Sequence, residues 1–211
     1  MSFSSVQGNS LKLFSGIGPF IISNLLLSLL SESGFFPHEI LVPPRVVFRT
    51  LLAETQSGEL LRQVSSSLWR LFFGFSIGVF SGFTLGAGMA LFSTVKAYVH
   101  PSFQFFRQVP TLALIPVFIL FFGIGETVKI VLVSKAVCLT VALATMEGID
   151  NIKGTWRDVA AVYEIKGFPL LKKVILPAAL PAIMTGMRIA LSRAWMVLIA
   201  AELLVSDNGI G

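Results

Sequence analysis

The sequence predicts an all-α fold, a polytopic transmembrane helical bundle. Three observations carry that expectation. Of 211 residues, 55% are hydrophobic and 13% are charged, whereas soluble chains carry about 25% charged residues. The mean hydropathy is +0.84. The apolar residues fall in long runs parted by polar stretches, and a membrane helix needs about 20 mainly apolar residues. Water could not accommodate this much apolar surface behind so few charges, and lipid can.

Residues 1–12 read as a cytoplasmic N-terminus, and the first span covers 13–30, between Lys12 and Glu32. One preceding cation and no A-x-A site argue for an uncleaved span rather than a signal peptide. Residues 31–70 read as an outer polar loop, with Pro43-Pro44, a mixed segment Val46–Leu52 suited to a short interfacial helix, and Gly58 as a break. The second span covers 71–92. Gly74, Gly78, Gly82 and Gly86 recur there at every fourth residue, which places them on one helix face and lets a second helix approach closely.

The loop 93–110 carries Lys96, His100, Pro101, Arg107 and Pro110. The third span, 111–122, is short and contains Pro116, which should kink it. Gly123-Ile124-Gly125 makes a turn into the fourth span, 127–146. A polar segment follows at 147–182, and a last span covers 183–205. The length rule therefore yields about five spans. With the N-terminus inside, inner segments hold Lys12, Lys96, Arg107, Lys153, Arg157, Lys166, Lys172 and Lys173. Outer segments hold Arg45, Arg49, Arg62, Arg70 and Lys129. Excess Lys and Arg mark cytoplasmic loops, so 147–182 is expected inside and the C-terminus outside.

The formal net charge is +5. No Lys/Arg run is interleaved with aromatics, so the basic residues read as topology signals and not as a nucleic-acid footprint. Cys138 is the single cysteine and reads as a small packing residue. H-E-x-x-H, C-x-x-C and G-x-S-x-G are absent, and His38 and His100 lie alone in loops. The G-x-x-x-x-G-K-[ST] loop that cradles a nucleotide is also absent. Neither metal nor cofactor is expected on this chain, and a polytopic membrane enzyme is the weakest reading.

The informative stretch is DVAAVYEIKGFPLLKKVILPAALPAI, from Asp158 onward. It starts with an acid and small residues, breaks at Gly167 and Pro169, and resumes as an amphipathic piece, Leu170–Ile175, that Pro177 and Pro181 are expected to end. This resembles the cytoplasmic loop of ABC-importer permeases, with its pattern E-A-A-x-x-x-G followed by I-x-L-P. Asp158 stands at the glutamate, Val159 and Ala160 at the alanines, and Ile175-Leu176-Pro177 at the closing motif. The stretches SGELLRQVSSSLWRLFFGFSIGVFSGFTLG, FRQVPTLALIPVFILFFGIGETVKI and GMRIALSRAWMVLIAAELL are similar to permeases for aliphatic sulfonates, taurine and nitrate. The similarity runs from about Phe35 to Gly211, with the permease domain at about 60–211.

The resemblance implies a type I ABC-importer permease of the bacterial inner membrane that works as a homodimer. A separate ATPase would dock on the loop and bind the ATP, and a periplasmic binding protein would deliver the anion. It implies that Asp158, Ala160, Ala161, Gly167 and Pro177 contact the ATPase or shape the loop. Glu164 stands where the motif has glycine. Lys135 and Arg193 fall mid-span where the family is apolar, Thr140 stands where proline is frequent, and Arg188 and Glu202 match family positions. Charges at mid-membrane cost at least about 2.5–3.5 kcal/mol and normally face a cavity or a partner. Arg188 reads as snorkelling or as lining an anion path; Lys135 or Arg193 is expected to pair with Glu202 or line the path. The resemblance also implies a sixth span after Gly211, so the alternative reading is a truncated, non-transporting remnant.

Overall fold

The computed structural model describes residues 42–152, 162–165 and 167–205, with Gly18, Pro19, Ser23, Leu26 and Ser31 before them. The expected N-terminus 1–12, most of the span at 13–30, and Asp158, Ala160 and Ala161 lie outside the described residues. The chain forms two compact units, 1–61 and 62–211.

In the first unit, helix α1 runs Pro44–Ser57. It starts with proline, whose missing N–H costs nothing in a first turn. It stops at Gly58, whose φ of 77° is left-handed, a conformation glycine adopts without strain. Val47, Phe48, Leu51 and Leu52 stand exposed along it. The helix therefore extends beyond the expected Val46–Leu52 segment at both ends.

The second unit is built on three long helices: α2 at Glu59–Leu91, α5 at Glu126–Asp150 and α7 at Leu176–Val205. Between them lie α3 at Ser93–Gln108, a 3-10 turn at Thr111–Leu114, α4 at Ile115–Phe122 and the short α6 at Gly167–Leu170. A π-helical turn, Leu171–Ile175, leads directly into α7. Among the described residues, three helices are long and apolar enough to cross a membrane: Glu59–Leu91, Glu126–Asp150 and Leu171–Val205.

The expected loop 93–110 is largely helical, as α3, and the expected third span, 111–122, opens with a 3-10 turn and carries Pro116 in the first turn of α4 rather than at a kink within it. Ser93–Gln108 and Thr111–Phe122 meet at a bend of 93°. Pro110 explains the break, because proline pushes the preceding residue out of the helical region, and Val109 has ψ 117°. The long helices also outrun their apolar cores, since α2 starts at Glu59 rather than 71 and α7 at Leu176 rather than 183. Pro177 and Pro181 do not end a helix; both lie within α7. Pro177 follows directly on the π-helical turn Leu171–Ile175.

The glycine face of α2 packs on α5. A methyl group at Gly78 would sit 2.5 Å from Val137 Cβ, and one at Gly82 would sit 2.6 Å from the Cys138 carbonyl oxygen. Only glycine permits such an approach. The Ser134 hydroxyl donates across this seam to the Gly74 carbonyl at 3.0 Å. Partner numbers rise together, from Gly74 on Val133 to Gly86 on Thr145, so α2 and α5 run parallel. α7 runs antiparallel to them: Gly148 meets Ala182, Gly186 meets Ala144, and Val128 and Leu132 cluster with Ala201 and Val205. The small residues Ala179, Gly186, Ala190, Ala194 and Ala201 are buried at helical spacing along α7. The core between them holds Val133, Val137, Val141, Ala190, Ala194 and Leu198.

Candidate functional site

The parallel and antiparallel packing brings the first turn of α5 beside the last turn of α7 and the polar opening of α2. Among the described residues, five side chains converge there. Arg70 faces Glu126 with two N–H groups, Nη2 donating to Oε1 at 2.9 Å and Nε donating to Oε2. Its Nη1 donates to Glu202 Oε1 at 2.6 Å, and the Ser67 hydroxyl donates to the same oxygen at 2.6 Å. Lys129 Nζ donates to Glu126 Oε1 at 3.2 Å.

Burial makes the cluster consequential. The side chains of Arg70, Lys129 and Glu202 are 5%, 2% and 0% exposed, whereas that of Glu126 is 59% exposed. A buried charge is tolerated when it is paired and hydrogen-bonded, and Arg70, Lys129 and Glu202 each meet an opposite charge here. Paired N–H donors on one carboxylate make the strongest form of such a contact. The cluster ties the three long helices together at one end of the bundle. Sequence reading singled out only Glu202 among these five. The usable signal was the i, i+3 pairs Ser67/Arg70 and Glu126/Lys129, which place each pair on one helix face.

The other intramembrane charges do not converge on Glu202. Lys135 Nζ reaches the Val109 carbonyl at 3.2 Å and the Thr111 hydroxyl at 3.4 Å, so it spans the break between α3 and α4. Arg193 donates from Nη1 to the Thr140 hydroxyl at 3.3 Å, while Thr140 itself donates to the Ala136 carbonyl. Arg188 is exposed on α7. The expected pairing of Lys135 or Arg193 with Glu202 is replaced by Arg70, because Arg193 lies nine residues before Glu202, about 13 Å along a helix. At the opposite end, Lys96 and Asp150 form an ion pair at 2.6 Å. An open groove of about 700 Å³ runs beside it between α5 and α7, lined in part by Glu147, Asn151 and Thr185.

In the loop that precedes α7, Glu164 has φ 54° and Gly167 φ 64°. Glu164 is the single non-glycine residue with positive φ among the described residues. The backbone thus adopts a left-handed turn at the motif-glycine position although the side chain there is glutamate. Val162 and Tyr163 beside it are 81% and 74% exposed, and Pro177 is exposed at the start of α7.

Comparison with known proteins agrees with this architecture. Residues 74–211 match the family described as binding-protein-dependent transport system inner membrane component. The chain is 40% identical over 183 residues to the aliphatic sulfonates transport permease protein SsuC of Escherichia coli (strain K12), covering 87% of this chain and 70% of that protein. It is 34% identical to the taurine transport system permease protein TauC of the same strain, covering 81% and 64%. It is 35% identical to the bicarbonate transport system permease protein CmpB of Synechococcus elongatus, covering 71% and 54%. Among solved structures, an amino acid ABC transporter crystallised with histidines superposes with a TM-score of 0.57 over 71% of this chain and 75% of that one, at 17% identity, which speaks to fold alone.

Three helices long and apolar enough to cross a membrane, packed through small residues, define a helical membrane bundle. The chain belongs to the binding-protein-dependent transport system inner membrane component family, and is a multi-pass protein of that membrane. It spans 54% to 70% of the length of these curated relatives.

Proposed function

We propose that the chain is the pathway subunit of an ABC importer for a small anion, with an aliphatic sulfonate first and taurine, bicarbonate or nitrate as alternatives. The observation that carries this reading is the 40% identity to the sulfonate permease across 87% of the chain. Lys135, Arg188 and Arg193 supply cations within α5 and α7, and intramembrane charges mark ion paths in membrane proteins. In this reading two copies form the pathway and a periplasmic binding protein delivers the anion.

A separate ATPase binds and hydrolyses ATP and grips the loop around Glu164, Gly167 and Pro177. Exposed Val162 and Tyr163 offer it apolar surface. This subunit performs no chemistry. It lends a route whose two ends are opened in turn by movement of the loop. The test is growth on each compound as sole sulfur or nitrogen source, with and without the gene. The reading predicts loss of growth on a sulfonate alone and normal growth on sulfate; unchanged growth on every anion contradicts it.

A further inference from the structure

The groove between α5 and α7 has a charged head. Ala144, Glu147 and Asn151 line it from α5, and Ala182, Thr185 and Ile189 line it from α7. Each set is spaced by three and then four residues, so each follows one helix face. Thr140 extends the first set by four residues and Arg193 extends the second by four. These two meet: Arg193 Nη1 donates to the Thr140 hydroxyl at 3.3 Å. The pair therefore stands at the head of the groove, one helical turn beyond Ala144 and Ile189.

Arg193 is sparsely engaged there. Its side chain is exposed, and among the described residues the neutral Thr140 hydroxyl is its one hydrogen-bond partner and no carboxylate pairs with it. A guanidinium carries five N–H donors, so most of them are free to take a ligand. Thr140 donates its own proton to the Ala136 carbonyl at 2.9 Å, which leaves its oxygen to hold the guanidinium in place. Arg193 lies 12 residues before Val205, the end of α7, about 18 Å along a helix. A charge at that depth faces a cavity or a partner. The groove has a volume of about 700 Å³, within the range of small-molecule sites, about 300–1,000 Å³. A planar fork of N–H donors matches two oxygens of a sulfonate or carboxylate, and Ala144, Ala182 and Ile189 offer apolar wall below it.

We propose that this groove binds an oxyanion with a short apolar tail, an aliphatic sulfonate, with its headgroup on Arg193 and its alkyl chain along Ala182 and Ile189. The choice of a sulfonate rests on the importer reading above, and the site itself rests on Arg193 and the groove. Glu147 at the far end sets the direction: its carboxylate repels the headgroup and favours the pose that sends the charge to Arg193. Thr140 is a positioning residue, which aims the guanidinium into the groove without needing to touch the anion.

The test is protection of a cysteine placed in the groove. Thr185→Cys is made in a Cys138→Ser background, and the permease with its ATPase partner in lipid nanodiscs is labelled with sulfonatoethyl methanethiosulfonate, a charged thiol reagent that reacts only where water reaches. Ethanesulfonate should slow labelling while chloride at equal ionic strength does not. The half-protecting concentration should fall about twofold per methylene from methanesulfonate to butanesulfonate, because an open groove buries about half of each. Adding Arg193→Gln should raise that concentration about tenfold or more, and Arg193→Lys, which keeps the charge and loses the fork, should raise it less. If Thr185→Cys fails to fold, Ile189→Cys serves in its place. The proposal is overturned by a folded variant whose cysteine stays unlabelled until the chain is denatured, by equal slowing in chloride, or by protection that Arg193→Gln leaves unchanged. Protection without ATP-driven uptake of ethanesulfonate would count against the importer reading and leave this site standing; uptake without protection would do the reverse.

Discussion

Gly82→Ala probes the seam between α2 and α5 most sharply. The added methyl carbon would lie 2.6 Å from the Cys138 carbonyl oxygen, 3.0 Å from Cys138 Cα and 3.0 Å from Val141 Cβ. Carbon atoms pack best at about 3.5–4.0 Å. Two of the three obstacles are backbone atoms, so no rotamer change relieves the clash and the helices must part by roughly half an ångström or more. Overpacking of this kind costs about 1–3 kcal/mol. Gly88→Ala is the matched control on the same helix. Its methyl would meet only Val95 Cγ1 at 3.9 Å, and replacing glycine by alanine inside a helix gains up to about 1 kcal/mol. The two variants should therefore move stability in opposite directions when unfolding is followed in detergent. Equal midpoints for Gly82→Ala and Gly88→Ala would refute the close-packed seam.

The remaining predictions concern charges and the loop. Glu202→Ala strips Arg70 and the Ser67 hydroxyl of a shared acceptor and should cost about 1.5–3 kcal/mol, the range for hydrogen bonds to a charged group, whereas Lys96→Ala, in a half-exposed pair with Asp150, should cost less than about 1 kcal/mol; unfolding titrations of the two variants decide. Glu164→Gly should stabilise the left-handed turn and Glu164→Val should destabilise it by about 1–2 kcal/mol, read as slower and faster hydrogen exchange over 162–170. Lys135→Leu removes the donor that joins Val109 and Thr111 across the bend and should speed exchange at 108–112 and reduce anion uptake. Arg193→Leu should reduce uptake with little effect on folding, because its contact to Thr140 is exposed; if both leucine variants transport normally, these cations do not line the path.

The sequence made the membrane-spanning bundle legible because lipid demands long apolar runs, and 55% hydrophobic residues in such runs leave little choice. The four-residue spacing of Gly74, Gly78, Gly82 and Gly86 placed them on one face of α2, the face that meets α5. The matching small residues of α7 were overlooked because alanine is common in any helix. Helix ends were poorly legible. Hydropathy marks where lipid-facing residues stop, but backbone hydrogen bonding in α2 continues through Glu59–Arg70, where Ser67 and Arg70 find partners on other helices.

Those partners could not be read from local pattern. Arg70 lies 56 residues from Glu126 and 132 from Glu202, and only the packing of three helices brings them together. The bend after Gln108 was not legible as a bend: 93–110 read as a loop and the kink was expected at Pro116, whereas the break of 93° falls between Gln108 and Thr111. The left-handed backbone at Glu164 was not legible: the motif has glycine there, but glutamate does not signal that conformation, and the sequence equally allowed Gly167 to take over the turn.

Uptake tests the central claim most directly. The permease is reconstituted in vesicles with its ATPase partner, ATP enclosed on the ATPase side, and labelled ethanesulfonate with a binding protein on the other. The account predicts accumulation that requires ATP, the binding protein and this subunit together. Accumulation that is equal without this subunit, or none of any anion tested with all components present, would contradict it.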